Sequence, residues 1–205
     1  MSGEVVCISH ATGAEGDAVG RAVADKLGLR YVDEEIIHEA AERGDLDATL
    51  VADVERRKSL VTRFLESTAE QAVPTRLTTG DVRRSLPTSD DLRELIAAVI
   101  RDVADRGGVV IVSHAASLAL GGRRDVLRVL ITGSESVRAE RVGDARDLDA
   151  RKAKATVTRE DSARADYLKR FYDVEREAPT DYDLVVNTDR LTVEKAAELI
   201  AAAAA

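Results

Sequence analysis

The sequence predicts an α/β protein with a five-stranded, mainly parallel sheet flanked by helices, and three observations carry that expectation. Short apolar runs rich in β-branched residues alternate with stretches of helical periodicity along the whole chain. The runs Val5-Val6-Cys7-Ile8 and Val109-Val110-Ile111-Val112 are apolar without alternation, the mark of strands covered on both faces. Glycines stand where elements change: Gly13 and Gly16 after the first run, Gly28 after the first helical stretch, Gly107 and Gly108 before the third strand.

Glu4 to Ser9 reads as the first strand, and Asp17 to Leu27 as the first helix, with Ala18, Val19, Ala22, Val23 and Leu27 at helical spacing. Leu29 to Val32 is a short second strand that runs into Asp33. Glu34 to Arg43 follows as a helix with Ile36, Ile37 and Ala40 on one face. From Asp47 to Val73, Leu50, Val51, Val54, Leu60, Val61, Phe64 and Leu65 mark one long or broken amphipathic helix, whose wide stripe also suits packing on a second copy in a homodimer. Pro74 to Ser89 reads as a loop. Ser89-Asp90-Asp91 caps a helix to Arg106 that carries Leu92, Leu95, Ile96, Val99, Ile100 and Val103. Val109 to Ser113, Leu127 to Thr132 and Asp183 to Asn187 are the third, fourth and fifth strands. A helix starts at Ser134 and runs through Arg141, a charge-dense stretch covers Gly143 to Ala155, a helix returns over Thr156 to Tyr172, and a terminal helix starts at Thr192.

The 205 residues suit one domain with a real core, and with 3% aromatic residues and no Trp that core is aliphatic. A net charge of −8 gives no general attraction for nucleic acid or an anionic membrane, so any anion site is local. The lone Cys7 forms no disulfide within the chain and reads as a small core residue. Neither a signal peptide pattern nor a membrane-spanning apolar run is present, so a cytoplasmic protein is the expectation.

In parallel α/β sheets ligands bind beyond the carboxyl ends of the strands. That rule points to the loop after the first strand, to His114 after the third, and to the segment after the fourth. The loop Gly13-Ala14-Glu15-Gly16-Asp17 opens a helix, where backbone N–H groups cradle anions, yet it brings two acids and no lysine. Two unit charges about 4 Å apart interact by roughly 1 kcal/mol in water and roughly 4 kcal/mol at an effective dielectric near 20, so exchanging a lysine for an acid is costly to a bound phosphate. Three readings stand open: the N–H groups of Gly13 to Ala18 hold an anion while Glu15 points to solvent; Asp17 itself fills the anion hole; or Asp17 is a ligand for Mg2+ carried by a nucleotide. Ser9-His10-Ala11 recurs as Ser113-His114-Ala115, both at strand ends. If the first and third strands are neighbours, the two imidazoles share one rim, where they bind phosphate when protonated, bind a metal with Asp33 or Asp17, or simply end their strands. Arg138 and Arg141 share a helix face, and Arg159 and Arg164 flank Asp161, which suits either an anion clamp or a salt-bridged surface pair.

Taken together, Ile8-Ser9-His10 with the glycine loop, Lys26-Leu27-Gly28-Leu29-Arg30-Tyr31-Val32-Asp33, Arg106-Gly107-Gly108 through Ala115, Leu127 to Ile131 with Arg138 and Arg141, Asp161-Ser162-Ala163-Arg164-Ala165-Asp166-Tyr167, and Asp181 to Thr188 resemble the cytidylate-kinase-like family of P-loop nucleoside monophosphate kinase relatives. The resemblance implies a three-layer P-loop NTPase fold as one domain over 1–205, with a helical and loop insertion at 47–90 over the acceptor side and a lid at 143–172. It implies phosphoryl transfer from ATP, with Mg2+, to a nucleoside monophosphate. Gly13, Ala14, Glu15, Gly16 and Asp17 then hold donor phosphates, Arg138, Arg141, Arg159 and Arg164 stabilise the transferring charge, and His10, Asp33, His114 and Asp161 line the acceptor side. Where the family pattern carries arginines, this chain has His10, Asp17 and His114, and the Walker A lysine and Ser/Thr positions fall on Gly16 and Asp17. A catalytically inactive relative that binds, senses or self-associates is the alternative.

Overall fold

The structure is a computed structural model that describes residues 5–33, 89–113, 116–175 and 177–204. The helices expected over 34–43 and 47–73, the loop over 74–88, the homodimer surface on 47–73, and His114 lie outside the described residues.

Five strands form one sheet: β1 (Val5–His10), β2 (Arg30–Val32), β3 (Val109–Val112), β4 (Val126–Thr132) and β5 (Leu184–Asn187). Their order is β2-β3-β1-β4-β5, and every pairing is parallel. β1 is central, with Cys7 opposite Ile111 on one side and Arg128 on the other. Its side chains alternate between two cores, as the period of a strand dictates. Val5 and Cys7 pack with Ile111, Val126 and the helix α2 (Ser89–Arg106) through Ile96, Val99, Ile100 and Val103. Val6 and Ile8 pack with Val110, Val112, Ile131 and two helices, α1 (Gly16–Leu27) and α6 (Val193–Ala204). Both layers are needed to cover a parallel sheet. Val6 and Ile8, with no exposed surface, together contribute about 3–6 kcal/mol, which pins the strand end from which the glycine loop departs.

The first helix begins at Gly16, one residue before the expected start at Asp17, and stops at Gly28 in the left-handed conformation (φ 67°), as its sequence predicts. Its buried face differs: Ala18 is exposed, and Gly16 and Gly20 join Val19 and Val23 inside. A Cβ at Gly20 would lie 2.5 Å from a Val112 methyl, so the glycine lets α1 approach the sheet closely.

Three helices remain: α3 (Ala116–Leu120), α4 (Glu135–Arg146) and α5 (Ala150–Tyr172). The short α3 has too few residues to show a period. The sequence starts α5 at Thr156, but it starts at Ala150, capped by Asp149, whose side chain accepts the Lys152 N–H (2.9 Å). Only Ala153 in that first stretch is buried, so the apolar stripe was too thin to read. The α4–α5 pair closes through Ala139, Val142, Leu148 and Val157, and the end of α5 packs Tyr167, Leu168 and Phe171 against Leu118 of α3. Among the described residues no helix is long and apolar enough to cross a membrane.

Candidate functional site

The site lies beyond the carboxyl end of β1, where Ala11 to Glu15 turn into α1. The Ala11 N–H bonds to the Ile131 carbonyl (3.0 Å), and the Ala14 N–H bonds back to the Ala11 carbonyl (3.0 Å). Gly13 sits at φ 78°, and a Cβ there would meet the Arg138 carbonyl oxygen at 2.5 Å. Glu15 also takes a left-handed conformation (φ 62°), strained for a residue with a side chain, and precedes the helix without a side-chain cap. The first bond of the helix joins the Val19 N–H to the Glu15 carbonyl (3.0 Å). The N–H groups of Gly16, Asp17 and Ala18 therefore precede the helical ladder, at its positive end.

The carbonyls of His10 at the end of β1 and of Thr12, Gly13 and Ala14 in the loop are each held by a side chain. Arg164 donates to His10 (3.2 Å), Arg138 to Thr12 (3.0 Å), Arg141 to Gly13 (3.4 Å) and the Thr188 hydroxyl to Ala14 (3.1 Å). Each arginine is also matched by a carboxylate. Arg138, buried, makes two bonds to Asp161 (2.9 and 2.7 Å) and one to the Gly133 carbonyl (3.0 Å). Arg141 bonds to the Thr188 carbonyl (2.6 Å) and lies 3.3 Å from the Glu15 carboxylate, whose side chain is 39% exposed. Arg164 makes two bonds to Glu177 (2.8 and 2.6 Å), with side-chain exposures of 9% and 21%. Tyr182 donates its hydroxyl to the same Glu177.

These charges are stabilised in place. Burial opposes the charge on Arg164, but the bonds and charge of Glu177 outweigh it and leave the guanidinium pKa raised. Burial pushes the Glu177 carboxyl up, while Arg164 and the Tyr182 hydroxyl reverse this and hold it below its ordinary value. Burial, then the neighbouring Glu177, pushes the Tyr182 phenol up.

His10 packs its ring on Gly16, where a Cβ would lie 2.1 Å from the imidazole Cγ. Burial lowers its pKa, Asp17 at 3.8 Å opposes that, and Arg164 adds to it, leaving the ring net lowered and neutral at pH 7. Asp17 is not in the anion hole: its side chain is 60% exposed and its partners are His10 and the Tyr31 hydroxyl (3.3 Å). Arg21 lies over the Tyr31 ring at 4.1 Å. The loop thus presents Glu15 on its β4 side and Asp17 on its β2 side.

Of the residues singled out from the sequence, Gly13, Ala14, Glu15, Gly16, Asp17, His10, Arg138, Arg141 and Arg164 do meet at this loop. Asp161 arrives as the counter-charge of Arg138, and Asp33 follows β2 on the same rim. Arg159 does not join them. Its side chain is 73% exposed and pairs with Glu160, because five residues at about 100° each put it on another face of α5 from Arg164. The sequence assigns no site role to Glu177, Tyr182 and Thr188: Tyr182 and Thr188 stand in the Asp181 to Thr188 stretch that carries the resemblance, and Glu177 precedes it outside any motif.

Two cavities adjoin the loop. One of about 580 Å³ lies under α5, lined by Ala11, Leu130, Arg138, Asp161, Arg164 and Glu177 among others. The other, about 430 Å³, is formed by Glu15, Arg141 and the segment after β5 from Thr188 to Glu194. The residues present fit Mg2+-ATP poorly. Among the described residues no lysine bonds to the loop and no group of three or more metal-ligating side chains converges, and carboxylates stand on both sides of the loop.

Residues 5–190 match the model of the cytidylate kinase-like family. A cytidylate kinase of Aeropyrum pernix is 39% identical over 100 residues, 48% of this chain and 57% of that protein, so the match spans little more than half of that relative. An uncharacterized protein from Eubacterium ventriosum is similar in structure, with a TM-score of 0.67 and 16% identity over 96% of this chain and 95% of that one. A shikimate kinase from Bacteroides thetaiotaomicron (TM-score 0.52, 15% identity, 96% of both chains) and a gluconokinase from Sinorhizobium meliloti (0.51, 18%, 99% and 94%) share the fold. The α/β P-loop kinase fold expected from the sequence is the fold observed.

Proposed function

Since the chain belongs to the cytidylate kinase-like family, we propose that it is a nucleotide-binding protein of the kinase fold that binds or senses its ligand without efficient phosphoryl transfer from ATP. One observation carries this reading: each arginine that would grip the transferring phosphoryl group at the loop, Arg138, Arg141 and Arg164, is engaged by a carboxylate of the chain and by a loop carbonyl. The phosphate lies on the N–H groups of Gly16, Asp17 and Ala18, and the nucleoside lies in the adjoining cavity between Arg141 and the segment after β5. The single-domain organisation, the 47–90 insertion, the lid role of 143–172 and a cytoplasmic site of action belong to the same proposal.

A second reading, ATP-dependent phosphorylation of a nucleoside monophosphate, is favoured by the convergence of the same three arginines on the loop, should they exchange their carboxylates for phosphate. Melting curves with ATP and Mg2+, CMP and other monophosphates, followed by a diphosphate-formation assay, separate the two. Binding without turnover is expected. Turnover of CMP with ATP and Mg2+ overturns the binding reading in favour of the second, and no melting shift with any nucleotide at millimolar concentration sinks both.

A further inference from the structure

We propose that Glu15 sets the phosphate selectivity of the loop: by pairing with Arg141 it turns the site against polyphosphates and leaves it fit for a ligand with a single phosphate, such as a nucleoside monophosphate. This rests on the reading that the loop holds a nucleotide. The N–H groups of Gly16, Asp17 and Ala18 can receive one anionic group. A second and third phosphate must extend past the loop mouth, toward Glu15 on one side or Asp17 on the other. Each arginine that bonds to the loop is committed to an acid: Arg138 holds Asp161, Arg164 holds Glu177 and Arg141 holds Glu15, while His10 beside Asp17 is neutral at pH 7; of the other described cations nearby, Arg190 lines the cavity next to Arg141 and Arg21 lies over the Tyr31 ring.

Of these pairs, only that of Arg141 uses a carboxylate from the loop itself. Arg138 and Arg164 are buried, and removing their acids would strip a buried charge of its partner. Arg141 is different. Its bonds to Gly13 and to the Thr188 carbonyl and hydroxyl hold it at the mouth whether or not Glu15 is charged. Neutralising Glu15 therefore frees a fixed positive charge beside the loop without moving it. The backbone agrees: Glu15 occupies a left-handed position that glycine fills without strain, so the side chain is retained against a conformational cost.

The test uses the full chain and its variants Glu15→Gln, Glu15→Gly, Arg141→Ala and Glu15→Gln/Arg141→Ala. Calorimetric titrations with CMP, CTP and inorganic tripolyphosphate, without added metal, read the affinities. The wild type is expected to bind CMP about tenfold or more tighter than CTP. Glu15→Gln is expected to gain about 10- to 100-fold for CTP and tripolyphosphate, and the gain is expected to shrink to within about twofold in the Arg141→Ala background. Glu15→Gly, which also relieves the backbone, should show the same gain. Tighter binding of CTP than of CMP by the wild type overturns the proposal. So does the absence of a gain in Glu15→Gln, or an equal gain without Arg141, which would reduce Glu15 to simple repulsion. If the wild type binds neither nucleotide, the nucleotide-binding reading fails on its own. The appearance of tripolyphosphate binding in Glu15→Gln then still supports the selectivity role, and its absence refutes that role as well.

Discussion

Glu177→Ala takes from the Arg164 guanidinium, whose side chain is 9% exposed, the carboxylate that bonds it twice, while its bond to the His10 carbonyl stays. Breaking a buried pair by removing one partner costs about 3–5 kcal/mol, and with Glu177 itself 21% exposed the low end, about 3 kcal/mol, applies. For a chain of this size that is a fall of about 6–12 °C in melting temperature. Arg164→Met/Glu177→Leu removes both desolvated charges and should recover much of the loss. The pH dependence carries its own signature. The folded Glu177 carboxyl is held below its ordinary 4.5, so the unfolded chain binds the proton more readily. The contribution is present above about 4.5 and is lost as pH falls through the folded value. Glu177→Ala should therefore flatten the acid limb of a urea-midpoint profile. A loss under about 1 kcal/mol, or a double variant no better than the single one, would refute the assignment of Arg164–Glu177 as the buried pair that braces the loop.

Gly13→Ala places a Cβ 2.5 Å from the Arg138 carbonyl oxygen at φ 78°, and a loss of about 2–4 kcal/mol in a urea melt is expected, because backbone must move. His10 has a folded pKa below the ordinary 6.5, so the unfolded state takes up its proton first, and stability should decline as pH falls from about 6.5. That decline should shrink in His10→Gln, and an imidazole titration by NMR at or above 6.5 would contradict it. Burial pushes the Cys7 thiol up to about 12, so the native protein should resist a thiol reagent at pH 8 and react only once denatured. Rapid labelling of the native protein would contradict the central position of β1.

The elements of the fold were legible where a local period or a glycine marked them. The apolar runs from Val5 and Val109 became central strands, and Gly28 ended α1 as its position predicts. The first turns of α5 were not legible, because a charged stretch with Ala153 as its one buried residue before Thr156 shows no stripe. At the site, the loop was legible, and so was the convergence of Arg138, Arg141 and Arg164. The face of Arg159 was computable from helical geometry, but only with a known reference face on α5. The roles of Glu177, Tyr182 and Thr188 were not legible, since they exist only through side-chain contacts made in the fold: Glu177 with Arg164 and Tyr182, and Thr188 with the Ala14 carbonyl 174 residues away.

The sequence by itself determined a parallel α/β sheet, a glycine loop at the end of its first strand and the absence of a lysine from that loop. Those properties are local: side-chain period, backbone freedom and residue identity are all written in neighbouring positions. Only the tertiary structure decided what the charges do. An arginine near a phosphate loop reads the same in sequence whether it awaits a ligand or is already held. Here Asp161, Glu15 and Glu177 are brought to their arginines from other elements, and Coulomb attraction depends on distance in space, not along the chain.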